Sequence, residues 1–176
     1  MRITKISILV AVLALLAAFP TFCPAADPIN NAGTTAFKKG DLDTALAMYS
    51  VAVDLRPDDF QGYVNRGVVF LAKGQYDFAV LDFSQAISLN PACSEAFTNR
   101  ASAHIAQNRP QRAYDDASRA ILLNENNAEA YYTRAVAGYL SKTMDKVWLD
   151  LMNSQRLGFA PATSMLAAYR NLPQQW

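Results

Sequence analysis

The chain has 176 residues, the size of one domain or one short array. Its composition, 52% hydrophobic and 18% charged, supplies enough apolar side chain for a packed core and excludes wholesale disorder. A formal net charge of +1, with no Lys/Arg run and no acidic tail, gives no support to nucleic-acid binding.

The N-terminus reads differently from the rest. Arg2 and Lys5 are followed by an apolar run from Ile6 to Phe19 broken only by Ser7, then by Pro20 and the small residues Pro24, Ala25 and Ala26. Basic, apolar, then small is the order of a secretory signal, so residues 1–26 are expected to be a signal peptide cleaved near Ala25 or Ala26. The run falls short of the roughly 20 residues of a comfortable membrane span. An uncleaved anchor is the alternative, and no span is expected after cleavage. Lipid anchoring through Cys23 is not expected, because Phe22 stands where a lipoprotein signal needs Gly, Ala or Ser. The expected destination is periplasmic or secreted. Cleavage leaves fourteen basic and fifteen acidic side chains, a net charge of −1, and Cys93 as the lone thiol. One thiol makes no internal disulfide, and Cys93 reads as a small residue in a turn rather than a reactive one.

Beyond residue 26 the chain repeats with a period of 34 residues. Gly33 falls on Gly67, Gly40 on Gly74 and Pro57 on Pro91. Ala45, Ala79 and Ala113 share a column, as do Ala52, Ala86 and Ala120, and as do Leu55, Leu89, Leu123 and Leu157. Inside each unit the apolar spacing is helical, in two segments. Tyr63, Arg66, Gly67 and Phe70 lie on one helix face, and Ala79, Phe83, Ala86, Ile87 and Leu89 mark a second helix. Gly74 is expected to supply the positive φ that stops the first helix, and Pro91 to end the second. Small side chains at Gly67, Ala79 and Ala86 allow close helix approach, with Tyr63, Phe70 and Phe83 filling the remaining space.

At these positions the sequence resembles the tetratricopeptide repeat (TPR) family. That pattern has aromatics at the fourth, eleventh and twenty-fourth places, small residues at the eighth, twentieth and twenty-seventh, and Pro at the thirty-second. The resemblance implies an all-α, helical-hairpin solenoid of about four repeats: residues 27–59, 60–93, 94–127 and 128–160, with 161–176 as a C-terminal capping helix and tail. The second unit fits best. The third departs at His104, Ala117 and Glu125, and the fourth has a degenerate second helix carrying Val147, Leu151 and Ser154. Pro161 opens the last helix, with Met165, Leu166 and Tyr169 on an apolar face that would cover the end of the stack.

No phosphate-binding loop, HExxH, CxxC or GxSxG motif is present, so no enzyme, cofactor or metal site is expected. His104, the single histidine, sits in a column that packs between paired helices and reads as a core residue. Arg66, Arg100 and Arg134 recur at the repeat spacing, and so do Asp82, Asp116 and Asp150; the first unit has Ala32 and Met48 in those columns. Arginine and aspartate are thus both present or both absent within a unit. This predicts Arg–Asp pairs between packed helices, against the alternative of a basic stripe for anionic ligands.

The resemblance also implies where a protein or peptide partner would bind: the inner face lined by the first helix of each pair. The corresponding positions are Asn30, Asn31, Thr34 and Lys38; Val64, Asn65, Val68 and Leu71; Thr98, Asn99, Ser102 and Ile105; and Tyr132, Thr133, Val136 and Tyr139. Asn31, Asn65 and Asn99 form a ladder ending at Thr133, able either to pair with an extended peptide backbone or to serve inter-helix contacts. Some TPR domains grip acidic tails with Lys and Arg, but this sequence has Asn30, Glu95 and Asn99 where basic residues are needed, and only Asn65 matches. The expected ligand is an uncharged or mildly apolar segment, with Tyr132 and Tyr139 as anchors. The functional expectation is an exported interaction module or scaffold; an assembly factor or chaperone for envelope or secreted clients and a self-associating array are the alternatives. Spacing says nothing of the partner or the oligomeric state.

Overall fold

The structure is a computed structural model that describes residues 28–170, with side chains to residue 167. The signal peptide, Cys23 and the Tyr169 side chain lie outside these described residues. Nine α-helices follow one another among them: α1 (Pro28–Lys38), α2 (Leu42–Leu55), α3 (Phe60–Ala72), α4 (Tyr76–Leu89), α5 (Ser94–Ala106), α6 (Pro110–Leu123), α7 (Ala128–Leu140), α8 (Val147–Arg156) and α9 (Ala160–Arg170), with a short 3-10 helix (Met144–Lys146) before α8. No strand occurs among the described residues. Each helix packs on the next, and the first helices of successive hairpins also touch, α3 with α5 and α5 with α7. The result is an all-α, helical-hairpin solenoid.

Two kinds of turn alternate from the first hairpin to the fourth, and local chemistry sets each. Within a hairpin the first helix ends on a left-handed residue: Gly40 (φ 76°), Gly74 (φ 71°), Asn108 (φ 57°) and Lys142 (φ 60°), all one repeat apart. At Gly74 its N–H donates to the Leu71 carbonyl, and the Gln75 N–H donates back to the Phe70 carbonyl at 2.9 Å. Those two bonds are a Schellman closure, which satisfies carbonyls that the helix end would otherwise strand. The Arg109 N–H bonds to His104 O and the Thr143 N–H to Gly138 O in the same way. Between hairpins the helix stops in extended backbone, at Asn90 (φ −135°) and Asn124 (φ −148°). The Asn90 and Asn124 side chains each accept from the N–H two residues on, so the turn at Asn124 closes without the proline found at Pro91.

Helix-to-helix distance inside a hairpin is set by a matched pair of columns. A Cβ built on Gly33 would lie 2.7 Å from the Tyr49 ring, and one on Gly67 would lie 2.6 Å from the Phe83 ring. Each ring therefore lies flush against bare backbone. In the third hairpin the same two columns hold Ala101 and Ala117, and in the fourth Ala135 and Leu151, all fully buried. A larger residue on the first helix is met by a smaller one on the second.

Arginine and aspartate do pair between packed helices. Arg66, Arg100 and Arg134 each donate Nε and Nη2 to the two carboxylate oxygens of Asp82, Asp116 and Asp150, at 2.8 and 2.7 Å in every case. The aspartates are buried. Tyr63, Phe97 and Tyr131, also one repeat apart, lie under the three guanidinium groups with centroids 5.6–5.8 Å away. The bidentate geometry and the ring face compensate the charges for lost water. Asp82 and Asp150 in turn raise the pKa of Arg66 and Arg134 further above its already high value. The first unit lacks all three members and has Ile29, Ala32 and Met48 instead.

The fourth hairpin keeps this frame with different side chains. Val147, Leu151 and Ser154 are buried in the columns that carry Ala79, Phe83 and Ala86 in the second unit. Ser154 donates its hydroxyl to the Ala128 carbonyl at 2.7 Å, which satisfies the polar group that replaces a methyl. A side chain on Gly138 would press on the Thr143 carbonyl at 3.0 Å. The helix α9 then packs on α8, with Leu166 joining Val147 and Leu151 in one apolar cluster and Ala162 fully buried.

Candidate functional site: a cleft on the face of the first helices

His104 is buried and packs as a core residue. Gln107 gives its amide N–H to Asp77 at 2.7 Å, so its oxygen faces His104 Nδ1 at 3.1 Å and accepts the proton that nitrogen carries. Burial is the main cause of a lowered pKa, so the ring is neutral at pH 7. Cys93 is half-buried at the N-cap of α5, where its side chain makes no capping bond. Among the described residues no group of three or more His, Cys, Asp or Glu could hold a metal ion, and no helix is long and apolar enough to cross a membrane.

The residues assigned to the inner face separate into three sets. Val64 (0% exposed) and Thr98 (2%) are buried, which corrects their assignment as groove surface. The reason is helix phase: Val64 packs with Ala86 and Ala96, and Thr98 Oγ1 accepts from Nδ2 of Asn127, the N-cap of α7, at 2.9 Å. A second set is spread along the array. Thr34 bonds to the Asn30 carbonyl (2.9 Å) and the Tyr49 hydroxyl (3.0 Å), while Asn31 and Lys38 are exposed. Val68 and Leu71 are half-buried against Ala79, Phe83 and Ala103. Asn65 accepts from Gln61 Nε2 at 3.2 Å, Asn99 is half-buried, and Tyr139 is 40% exposed. The asparagine ladder is therefore unequal from rung to rung.

The third set is gathered into one place. Ser102 and Ile105 of α5 and Tyr132, Thr133 and Val136 of α7 line a cleft of about 260 Å³ between the two helices. Two further residues complete it. Phe159, on the turn before α9, packs on Tyr132 with centroids 5.2 Å apart and ring planes tilted by 51°. Glu129, in the first turn of α7, supplies the one ionisable carboxylate of the wall. Phe159 follows the point where the repeat register is lost, so no spacing pointed to it. Glu129 did carry a signal: Gln61, Glu95 and Glu129 form a polar column one repeat apart on the first helices. The Glu129 pKa is raised, first by desolvation and second by the like charge of Glu95.

The comparisons with known proteins agree with this architecture. Residues 33–74 match a family model described as TPR repeat, and residues 60–93 match that of the tetratricopeptide repeat. No curated protein matches the chain in sequence. Among solved structures, a thermophilic TPR protein of Thermus thermophilus is similar at a TM-score of 0.73 and 18% identity, covering 81% of each chain. MamA is similar at 0.68 and 24%, covering 78% of this chain and 82% of its own. The first TPR domain of Spaghetti (RPAP3), solved bound to the HSP90 peptide SRMEEVD, is similar at 0.61 and 25%, covering 66% of this chain and 90% of its own. The fold is the TPR-type helical-hairpin solenoid, an architecture typical of protein–protein interaction modules.

Proposed function

We propose that this chain is an exported, non-enzymatic interaction module that holds a segment of a partner protein against the face of its first helices. The observation that carries the reading is the cleft between α5 and α7. It is a mostly apolar concavity on the inner face, walled by Ile105, Tyr132, Val136 and Phe159 and edged by Ser102 and Glu129. Apolar walls with a few convergent polar groups are what a bound side chain requires. The RPAP3 neighbour, which carries a bound peptide, supports a peptide-holding use of this architecture. Export rests on the basic, apolar, small-residue order of residues 1–26, and with it the partner is one of the periplasm or the cell exterior.

Capture of partners from an envelope fraction tests the reading, with the wild type beside Val136→Arg, which fills the cleft, and Asn65→Ala/Asn99→Ala, which removes two ladder amides. Helicity is checked in each. A partner retained by the wild type and lost by Val136→Arg assigns binding to the cleft. A partner retained equally by every form removes the cleft from the account.

A further inference from the structure

The cleft lining holds one carboxylate, Glu129, and no basic side chain. Glu129 lines it at one end, and Glu95, one repeat earlier on α5, is near enough to raise the Glu129 pKa. Glu129 is exposed, and partial desolvation together with Glu95 raises its pKa. The arginines of the same two hairpins that face the helix interface are committed elsewhere, Arg100 to Asp116 and Arg134 to Asp150. Lys38 is the one basic residue among the inner-face positions, and it lies in the first hairpin, at the other end of the array. Glu129 thus borders an apolar wall made of Ile105, Tyr132, Val136 and Phe159, with Glu95 one repeat earlier in the first turn of the neighbouring α5.

We infer that this cleft selects partner segments in which a lysine or arginine adjoins an aromatic or branched aliphatic side chain. The cation sits against Glu95 and Glu129, and the apolar side chain rests on Tyr132, Val136 and Phe159. This deepens the interaction-module reading and rests on it. Such a segment differs in charge from SRMEEVD, the peptide bound in the RPAP3 structure. A bound cation would replace like-charge repulsion with attraction, and such charge complementarity favours selection among partners.

The test uses fluorescein-labelled decapeptides of identical sequence except for one central pair, Lys-Phe, Gln-Phe or Glu-Phe, titrated by anisotropy against the purified protein. Lys-Phe should bind about three- to tenfold more tightly than Gln-Phe, and Glu-Phe should be weakest. The Lys-Phe advantage should shrink as salt is raised. Glu95→Gln/Glu129→Gln should bind all three peptides alike, while Tyr132→Ala should weaken all three together. Both glutamates lie in first helical turns at the surface, and circular dichroism verifies that the variants are folded. Equal binding of the three peptides that is still lost in Tyr132→Ala would overturn the charge preference and leave the cleft as a binding site. Failure of all three to bind, or binding indifferent to Tyr132, would overturn both.

Discussion

The first two hairpins and the last two solve one packing problem in different ways. In the first two, glycine sits on the first helix and an aromatic ring on the second: Gly33 under Tyr49, Gly67 under Phe83. In the last two, alanine faces alanine or leucine, Ala101 with Ala117 and Ala135 with Leu151. The left-handed residue differs as well. It is glycine at positions 40 and 74, then Asn108 and Lys142. The early hairpins thus use glycine twice, once for space and once for conformation. The later ones do without it at both places, accepting a thinner ring-free contact and a strained turn residue. What matters is the sum across the two columns, so repeats that look divergent residue by residue are equivalent pair by pair.

The largest effect should come from a device shared by the second, third and fourth hairpins and missing from the first. Asp116→Ala leaves Arg100 without its bidentate partner in a site where both side chains are largely withdrawn from water. The expected loss is about 2–3 kcal/mol by denaturant unfolding. A double-mutant cycle with Arg100→Ala should show strong coupling; additive effects would mean the ion pair does not lock the hairpin.

Next in size is the exchange of packing solutions. Gly67→Ala gains helix propensity but drives a methyl into the fully buried Phe83 ring, for a net loss of about 1–2 kcal/mol. Adding Phe83→Leu converts the second hairpin to the fourth hairpin's solution, Ala135 with Leu151, and should recover part of that loss. A double variant no better than the sum of the two singles would break the pairing between the columns.

A smaller gain is expected at the strained turn of the fourth hairpin. A left-handed non-glycine residue costs about 1–2 kcal/mol, while glycine loosens the unfolded chain by about 0.4–1 kcal/mol. Lys142→Gly should therefore stabilise by about 0.5 kcal/mol, and Gly74→Lys should destabilise the second hairpin. No change in melting temperature for either would show that the turn residue carries no strain.

The smallest effect is a pH slope confined to the third hairpin, where His104 stands in the column that holds Phe70 in the second. Burial lowers the His104 pKa below its ordinary 6.5 in the folded protein. The unfolded chain takes up the proton first, so this contribution is present above that value and is lost as pH falls through it. His104→Phe should flatten the stability profile between about pH 7 and pH 5 while leaving other acid effects in place. An unchanged profile would assign the slope to another group.

Much of the fold was legible because it is periodic. The 34-residue recurrence of Gly40 with Gly74, of Pro57 with Pro91 and of the alanine columns specifies two helices and two turns per unit by local chemistry alone. The Arg–Asp pairs were legible too, since a charge that appears and vanishes together with its opposite is answering that opposite. The cleft was legible only in part. Ser102, Ile105, Tyr132 and Val136 could be assigned from helix phase. The burial of Val64 and Thr98 could not, because Ala86, Ala96 and Asn127 cover positions that a lone helix would expose.

Sequence by itself therefore determined the helical hairpins, their turns and their order, since each depends on residues within one repeat length. Tertiary structure alone decided which first-helix residues remain open to a partner. It also brought Phe159 onto Tyr132 from beyond the last regular repeat, and placed Glu129 where partial desolvation and Glu95 raise its pKa. The physical reason is that exposure and electrostatic environment are properties of neighbours distant in the chain, and a repeat pattern records only what each unit does for itself.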